Sequence, residues 1–316
     1  MNRYEKVKKL ADELINTVST VIFGKELEIR LIITAMLCGG HVLLDDYPGS
    51  GKTTLARALA AAISADVKRI QFTPDLLPSD ITGINYFDMK ENEFVFRPGP
   101  VFSNIVIADE INRATPRTQA ALLECMAERQ VTVDGVTRPL ELPFTVLATQ
   151  NPIDQQGTFM LPEAQCDRFF MKLSLGYPNR EAEQAMLENH IAKRPLDEIK
   201  PICSAGDIVD AAEICESVAF SPKIRDYVLD IVSATRTDSR LTLGVSPRGC
   251  IALLRASQAY AAICGRGYVL PDDVKAVAVS VLSHRIIVKH RERFSSLGHT
   301  AAIIEDIITQ IPSPVD

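Results

Sequence analysis

The sequence predicts an α/β protein whose first part is built on a parallel sheet and whose second part is all helical. Three apolar runs near residues 41, 104 and 144 show no polar alternation, which is typical of parallel strands buried on both faces. Helical segments separate these runs, and from residue 179 onward only helical periodicity remains. A chain of 316 residues exceeds one ordinary hydrophobic core, so we expect two domains, 1–178 and 179–316.

Composition narrows the class of protein. A hydrophobic content of 47% with 23% charged residues is ordinary for a soluble globular chain, and no apolar run is long enough to span a bilayer. The N-terminus is charged and helical in pattern rather than a signal peptide, so we expect a cytoplasmic protein. The 7 cysteines form no C-x-x-C pair, which predicts reduced core residues rather than disulfides or a zinc site. The net charge of −6 provides no general attraction for nucleic acid.

The N-terminal third predicts two helices, a strand and a phosphate-binding loop. The segments 4–20 and 26–37 have helical periodicity, and the apolar run 41–44 follows as the first strand. The sequence GSGKTT at 49–54 comes next and opens into a run of strong helix formers. Strand, glycine-rich loop and helix are the context that phosphate binding requires, and an ordinary glycine-rich turn is the less favoured interpretation.

The chemistry of this loop follows from its residue types. Gly49 and Gly51 let the backbone approach an anion closely, and backbone N–H groups at the helix N-terminus then face the phosphates. Lys52 would reach the β- and γ-phosphates, and the Thr53 hydroxyl would bind Mg²⁺. One residue departs from the G-x-x-x-x-G-K-[ST] pattern, because Asp46 stands where the first glycine is usual.

The remaining core elements alternate between strands, helices and hairpins. Apolar residues without alternation predict strands within 103–110 and 144–148. Two further strands are predicted within 65–72, which ends in VKRIQF, and within 169–175. Helical spacing and an early proline predict a helix over 115–128. Two hairpins are predicted over 84–101 and 129–140, the second turning at an Asp-Gly dipeptide.

Three of the predicted strands end in polar residues, in positions 45–46, 109–110 and 149–151. In parallel sheets the ligand lies at the carboxyl ends of the strands. We therefore expect these three endings to converge on the phosphates held by the glycine-rich loop. A single acidic strand end is usually only the start of a loop, whereas three together indicate an active site.

The roles of these residues follow from their charge. Asp109 would hold Mg²⁺, and Glu110 would accept the proton of an attacking water. Asn151 cannot titrate but could orient that water or contact the γ-phosphate; the alternative is a turn residue before a proline. Arg113 and Arg117 are weaker candidates that could face a neighbouring subunit.

Two arginines stand out in the second half of the sequence. Arg248 follows a serine and a proline and so lies at a helix N-terminus, where a cation is favourable only if an anion also binds. We expect it to reach the phosphates of the α/β core, and a solvated arginine is the alternative. Arg168 lies between a short helix and a strand, where residues alone favour an ion pair with Asp167 or Glu163.

These residues resemble the AAA+ ATPases, and more narrowly the MoxR family. The similarity spans about residues 20 to 290 and is carried, in the family's order, by VIFGK, DDYPGSGKTT, IVIADEINRA, LATQNP, LPEAQCDRFF and GVSPRG. The two hairpins resemble the helix-2 insert and pre-sensor-1 hairpin of a subgroup shared with magnesium-chelatase ATPase subunits and MCM-type helicases. The resemblance implies a P-loop AAA+ αβα core with a five-stranded parallel sheet and two β-hairpin inserts, followed by an all-α lid.

The resemblance also implies roles for individual residues. Asn151 matches sensor 1, Arg248 matches sensor 2, and Arg168 matches the arginine finger given to the next subunit. Catalysis would then rest on Lys52, Glu110, Asn151, Arg168 and Arg248, with Mg²⁺ on Thr53 and Asp109. ATP or ADP would contact Phe23, Gly24, Pro48, Gly49, Ser50, Gly51, Lys52, Thr53 and Thr54.

The activity implied is ATP hydrolysis in a ring, usually a hexamer, that drives chaperone-like remodelling, maturation or activation of a client protein complex. MoxR proteins commonly work with von Willebrand factor A domain proteins, so such a partner is expected. Two alternatives stay open: a nucleic-acid-dependent motor, since the hairpins resemble those of helicases, and a nucleotide-gated scaffold with very slow hydrolysis, since Asp46 breaks the loop pattern.

Overall fold

A computed structural model of the chain describes residues 2–45, 49–150, 158–192, 195–289 and 297–314. The helices are α1 Arg3–Ser19, α2 Glu26–Leu37, α3 Lys52–Ile63, α4 Pro78–Thr82, α5 Pro116–Glu128, α6 Glu163–Cys166, α7 Arg180–Ala192, α8 Ala205–Glu216, α9 Pro222–Thr237, α10 Pro247–Ile263, α11 Pro271–Leu282 and α12 Leu297–Gln310. The strands are β1 Val42–Asp45, β2 Val67–Gln71, β3 Gly83–Asp88, β4 Glu93–Pro98, β5 Ile105–Asp109, β6 Gln130–Val133, β7 Val136–Pro139, β8 Thr145–Gln150, β9 Met171–Leu173, β10 Leu241–Leu243 and β11 Ile287–Val288.

The core is the parallel five-stranded sheet that the sequence predicts, with strand order β2-β5-β8-β1-β9. The register aligns Leu43 with Ala148 and Ile107 with Leu147. All pairs run parallel, so the carboxyl ends of the strands meet at one edge. The apolar runs are buried along their length because both faces of the sheet are covered.

Helices cover the two faces of the sheet. On one face Val42, Leu44 and Ile107 pack in one hydrophobic cluster with α1, α2, α3 and the C-terminal helices. On the other face Leu43 and Val106 pack in a second cluster with α5. The alternation of neighbouring strand residues between two clusters produces the three-layered αβα arrangement.

The C-terminal part is a helical lid, α8 to α12, with one addition to the prediction. β10 and β11 form a short antiparallel ribbon, so the lid is not entirely helical. Helices α9 and α10 each begin with a serine cap followed by proline, as in Ser221 and Ser246, whose hydroxyls accept from Ile224 N and Gly249 N. The N-terminal helices α1 and α2 share one cluster with α8 and α10, and the boundary at 178/179 stays a prediction.

Both predicted hairpins form, and the first exposes apolar side chains. Asp134 and Gly135 adopt positive φ, as a two-residue hairpin turn requires. At the free end of the β3–β4 hairpin, Met89 is 89% and Phe94 is 74% exposed. Among the described residues every helix is too short or too polar to cross a lipid bilayer.

Candidate nucleotide site

The glycine-rich loop and helix α3 form an open cradle. Gly49 and Gly51 have φ of +84° and +85°, a backbone region that side chains rarely adopt. Within the ranges that the structure describes, a Cβ on Gly49 would meet no atom within 4 Å. The buried Ser50 hydroxyl has no hydrogen-bond partner in the described part of the chain. A loop of this shape before a helix N-terminus fits a phosphate group.

A hydroxyl and a carboxylate meet beside this cradle. Thr53, in the first turn of α3, places Oγ1 3.4 Å and 3.3 Å from the two carboxylate oxygens of Asp109 at the end of β5. Asp109 is only 5% exposed. Hydroxyl and carboxylate oxygens are the donors that Mg²⁺ prefers, so the pair fits the metal role expected from the sequence.

Glu110 is held from three directions. Its backbone adopts φ +56°, and its N–H donates to Thr149 Oγ1 at 2.9 Å. Its carboxylate accepts from Gln71 Nε2 at 3.0 Å and pairs with Arg113 Nε at 3.0 Å. The structure therefore joins the endings of β2, β5 and β8 around the expected general base. The contact between Arg113 and Glu110 had no counterpart in the sequence analysis.

A third unexpected side chain, that of Arg69, reaches the carboxylate of Asp109. Arg69 Nε lies 2.6 Å from Asp109 Oδ2, and Arg69 also donates to Gln71. Sequence reasoning missed both residues because strand β2 shows no catalytic motif. The contacts arise from the sheet topology, because β2 pairs with β5 and places Gln71 opposite Asp109.

The polar ending of β1 differs from the expectation that it faces the phosphates. Asp45 Oδ2 forms an ion pair with Lys172 Nζ of the edge strand β9 at 2.6 Å, so this carboxylate connects β1 to β9. Asp46, Pro48 and Asn151 lie outside the described residues, and their expected roles stay predictions.

The segment at the end of α1 lies against the phosphate loop. The Cδ1 atom of Ile22 is 3.8 Å from where a Cβ on Gly51 would stand. Phe23 is half-buried, and Gly24 has φ +67° with Ala182 of α7 packed closely beside it. Phe23 and Gly24 follow Ile22 directly in the sequence, and their contact with adenine stays a prediction.

A second candidate site lies at the other edge of the sheet. A cavity of 230 Å³ is bordered by residues that precede β1 and β9, including Gly40, His41 and Phe170. Its cationic side chains are Arg129, Arg168, Arg248, Arg255 and Arg285. The 4 residues of β1 separate this edge from the phosphate loop by roughly 13 Å.

The position of Arg248 differs from the one expected from the sequence, and its catalytic role stays a prediction. The sequence placed Arg248 at the phosphates of its own core, whereas the structure groups it with Arg168 at the opposite edge. The physical reason is that α10 packs beside α1 and α2, on the residues leading into β1. Arg168 Nη1 donates to the carbonyl of Leu123 at 2.9 Å. Asp167, the partner considered for Arg168, forms its ion pair with Arg285.

The fold and the site define the class of this protein as a AAA ATPase with a lid. Residues 41–171 match the ATPase family associated with various cellular activities (AAA), and residues 233–307 match the AAA lid domain. The chain is similar to a protein from Cytophaga hutchinsonii that is named as an ATPase and has a crystal structure. The two structures superpose with a TM-score of 0.90 at 37% sequence identity, over 99% of this chain and 97% of that one.

Curated relatives identify the family. Chaperone MoxR1 of Mycobacterium tuberculosis is 39% identical over 86% of this chain and 74% of its own length. Protein MoxR of Paracoccus denitrificans is 33% identical over 93% of both chains. The uncharacterized protein YeaC of Bacillus subtilis is 45% identical over 98% of this chain and 97% of its own. The chain belongs to the MoxR family of AAA+ ATPases.

Proposed function

We propose that this protein is an ATP-hydrolysing motor whose active sites form between adjacent subunits of a ring. The observation that carries the proposal is the division of the site residues between two edges of one sheet. Thr53, Asp109 and Glu110 meet at the carboxyl edge, while Arg168 and Arg248 line a cavity at the amino edge.

The carboxyl edge supplies the chemistry within one subunit. The loop amides and Lys52 hold the phosphates, and Thr53 and Asp109 would hold Mg²⁺. Bound Mg²⁺ would neutralise charge on the β- and γ-phosphates. Glu110 accepts the proton of the attacking water, and Gln71 with Arg113 fixes its carboxylate.

The amino edge supplies the cations that the neighbouring site needs. Arg168 and Arg248 stand at the opposite edge from their own phosphates, so they serve a second copy stacked head to tail. Such heterologous contacts close into a ring when the rotation between copies allows it, and we propose a hexamer. No ion pair or hydrogen bond to Arg248 occurs among the described residues, so its charge is available to a neighbour's nucleotide.

The work done by hydrolysis is proposed to be remodelling of a client protein complex. The mycobacterial relative is named a chaperone. The β3–β4 hairpin presents Phe87, Met89 and Phe94 to solvent, an apolar surface that suits contact with protein. A von Willebrand factor A domain partner remains part of the proposal, supported by the family alone.

The alternative nucleic-acid motor finds less support. The tip of the first hairpin is Lys90, Glu91, Asn92 and Glu93, with a net negative charge, and the second hairpin turns at Asp134 and Gly135. Acidic tips repel phosphates, and a basic surface is what backbone binding requires. A salt-sensitive, micromolar gel shift would revive this alternative.

Mixing two inactive variants tests the shared active site. Lys52→Ala removes phosphate binding in one subunit, and Arg168→Ala removes the cation given to the neighbour. Mixed rings contain some intact interfaces, so the mixture should recover ATPase activity that neither variant has alone, since such arginines contribute about 10³–10⁵ in rate. Subunit exchange is measured separately by fluorescence transfer, and full exchange without recovery would contradict the proposal.

Trapping tests the remodelling role. Glu110→Gln keeps the size and hydrogen bonding of the side chain but removes the proton acceptor. Purified from its native cell with ATP, this variant should retain nucleotide and co-purify client and partner. Lys52→Ala is the matched control, because it should not hold the nucleotide-bound state. Equal recovery of the same proteins with both variants would argue against nucleotide-driven client binding.

A further inference from the structure

Asp167 links the core to two elements of the lid. It directly precedes Arg168, and its Oδ1 accepts from Arg285 Nε at 2.7 Å. Its Oδ2 accepts from Ser246 Oγ at 3.4 Å, at the cap of the helix that carries Arg248. One carboxylate therefore contacts both elements that bring lid residues to the arginine cavity.

The counter-ion Arg285 is buried and fixes the neighbouring backbone. Its side chain is 2% exposed, and it donates to the carbonyls of Phe169 at 2.7 Å and Phe170 at 3.1 Å, as well as to that of Val281. The first two carbonyls follow Arg168 directly. A Cβ on Gly249 would stand 2.8 Å from Arg285 Cδ, so the last glycine of GVSPRG leaves room for this side chain.

We propose that Asp167 is a positioning residue that holds Arg168 and Arg248 together as one anion-binding unit, with Arg285 as its buried counter-ion. The inference rests on the proposed function, because it takes both arginines to meet the nucleotide of an adjacent subunit. A lid movement that shifts Ser246, the N-cap of α10, displaces Asp167 through the hydrogen bond between their side chains. Asp167 directly precedes Arg168, so the displacement reaches Arg168 through the backbone. The lid and the core arginine consequently move as one body.

The chain offers a matched control for this ion pair. Arg266 pairs with Asp273 inside the lid, with Nη1 to Oδ2 at 2.6 Å and Nη2 to Oδ1 at 2.5 Å. The Asp273 side chain is 3% exposed. Neither residue borders the arginine cavity. Asp273→Asn therefore removes a charge from a comparable pair without touching the proposed unit.

The kinetic test compares these two substitutions in the assembled protein. Asp167→Asn should lower kcat at least tenfold with the KM for ATP within twofold, whereas Asp273→Asn should leave kcat within twofold of wild type. Equal losses of kcat in the two aspartate variants would overturn the positioning role.

A second readout does not depend on ATP hydrolysis. Without nucleotide, Asp167→Asn should speed amide hydrogen exchange in both 166–171 and 246–250, and Asp273→Asn should change neither segment. Unchanged exchange in the first variant refutes positioning, whatever the ATPase shows. Faster exchange together with full activity of Arg168→Ala refutes the proposed function and leaves positioning intact.

Two serine variants keep the test decisive if Asp167→Asn does not fold. Ser246→Ala removes the contact with Asp167 and the cap hydrogen bond from Gly249 N, which measures 3.2 Å. Ser221→Ala removes an equivalent cap on α9, where Ile224 N donates at 3.3 Å. We expect Ser246→Ala to lower kcat about threefold more than Ser221→Ala. Equal losses of kcat in the two serine variants would show that Ser246 acts only as a helix cap, and would overturn its link to Asp167.

Discussion

The side-chain amide of Gln71 donates to the carboxylate of Glu110 at 3.0 Å, across two neighbouring strands of the sheet. The contact fixes one oxygen of the proposed general base from β2. Arg113 Nε reaches the same Oε2 oxygen from the turn that follows β5. The orientation of the Glu110 carboxylate therefore depends in part on Gln71, a residue outside the motifs that carry the family resemblance.

Loss of the Gln71 amide should slow hydrolysis. Gln71→Ala leaves Arg113 as the remaining partner of the Glu110 carboxylate within the described part of the chain. A displacement of about 1 Å at a reacting group can cost up to about 10²-fold in rate. We expect kcat to fall about tenfold with the KM for ATP within twofold, measured by steady-state phosphate release. The kcat of Gln71→Asn, which keeps an amide on a shorter side chain, should lie between those of wild type and Gln71→Ala. Wild-type kcat in Gln71→Ala would show that the contact does not position the base.

Removal of Arg69 should strengthen Mg²⁺ binding. Its guanidinium occupies the Asp109 oxygen that also lies near Thr53, so it competes with a metal cation. The Arg69 side chain is 56% exposed, and a pair so open to solvent is worth at most about 1 kcal/mol. Arg69→Ala should lower the Mg²⁺ concentration for half-maximal ATPase up to about fivefold. Lys68→Ala, on the same strand, is the control, and a higher Mg²⁺ requirement in Arg69→Ala would reverse the interpretation.

Arg248 should matter only in the assembled ring. Arg248→Ala should lower the ATPase rate of the ring at least tenfold and leave the affinity of a dilute single subunit for nucleotide unchanged. Lys223 follows the same Ser-Pro cap on α9 but lies outside the arginine cavity, so Lys223→Ala is the matched control. Calorimetry measures nucleotide binding by the single subunit. Weaker binding by Arg248→Ala than by wild type would indicate that Arg248 contacts the phosphates bound by its own subunit.

Acid should destabilise the fold through His41. Burial lowers the pKa of this histidine to about 4, although its Nε2 contacts the Met126 carbonyl at 3.0 Å. The folded pKa lies below the unfolded value of about 6.5, so the unfolded state binds more protons between these values. Stability is therefore lost as pH falls from about 6.5 to 4, by about 3 kcal/mol for this group.

Urea unfolding at several pH values measures the effect of His41. His41→Gln should flatten the dependence between pH 6.5 and 4 relative to wild type. His299→Gln changes an exposed histidine and should leave the wild-type curve. The same dependence of unfolding free energy on pH in wild type and His41→Gln would contradict the assignment of this acid destabilisation to His41.

Asp46→Gly should tighten nucleotide binding. A carboxylate about 8 Å from a phosphate charge, at an effective dielectric near 20, is repelled by roughly 2 kcal/mol. Outward rotation or a nearby cation relieves part of this repulsion, so we expect a gain of up to about tenfold in affinity. Calorimetry at equal Mg²⁺ decides it, and weaker binding by the glycine variant would mean that Asp46 makes a needed contact.

The elements and the phosphate loop could be predicted from the sequence because their signals are local. Helix α2 begins and ends at Glu26 and Leu37, as its periodicity indicates, and the Asp-Gly turn forms where predicted. Unbroken apolar runs indicated parallel strands, and the carboxyl-end rule brought Thr53 close to Asp109. Backbone geometry and burial decide these features within short windows of the chain.

The tertiary structure decided which polar side chains meet across distant segments. Gln71 contacts Glu110 because β2 pairs with β5, and Arg285 contacts Asp167 across 118 positions because α11 packs beside β9. Arg248 likewise joins Arg168 instead of its own phosphates, because α10 packs on the segment that enters β1. The sequence by itself determined the chemistry available at each strand end. The packing of helices over the sheet determined which charges share a site, since that depends on contacts between residues far apart in the chain.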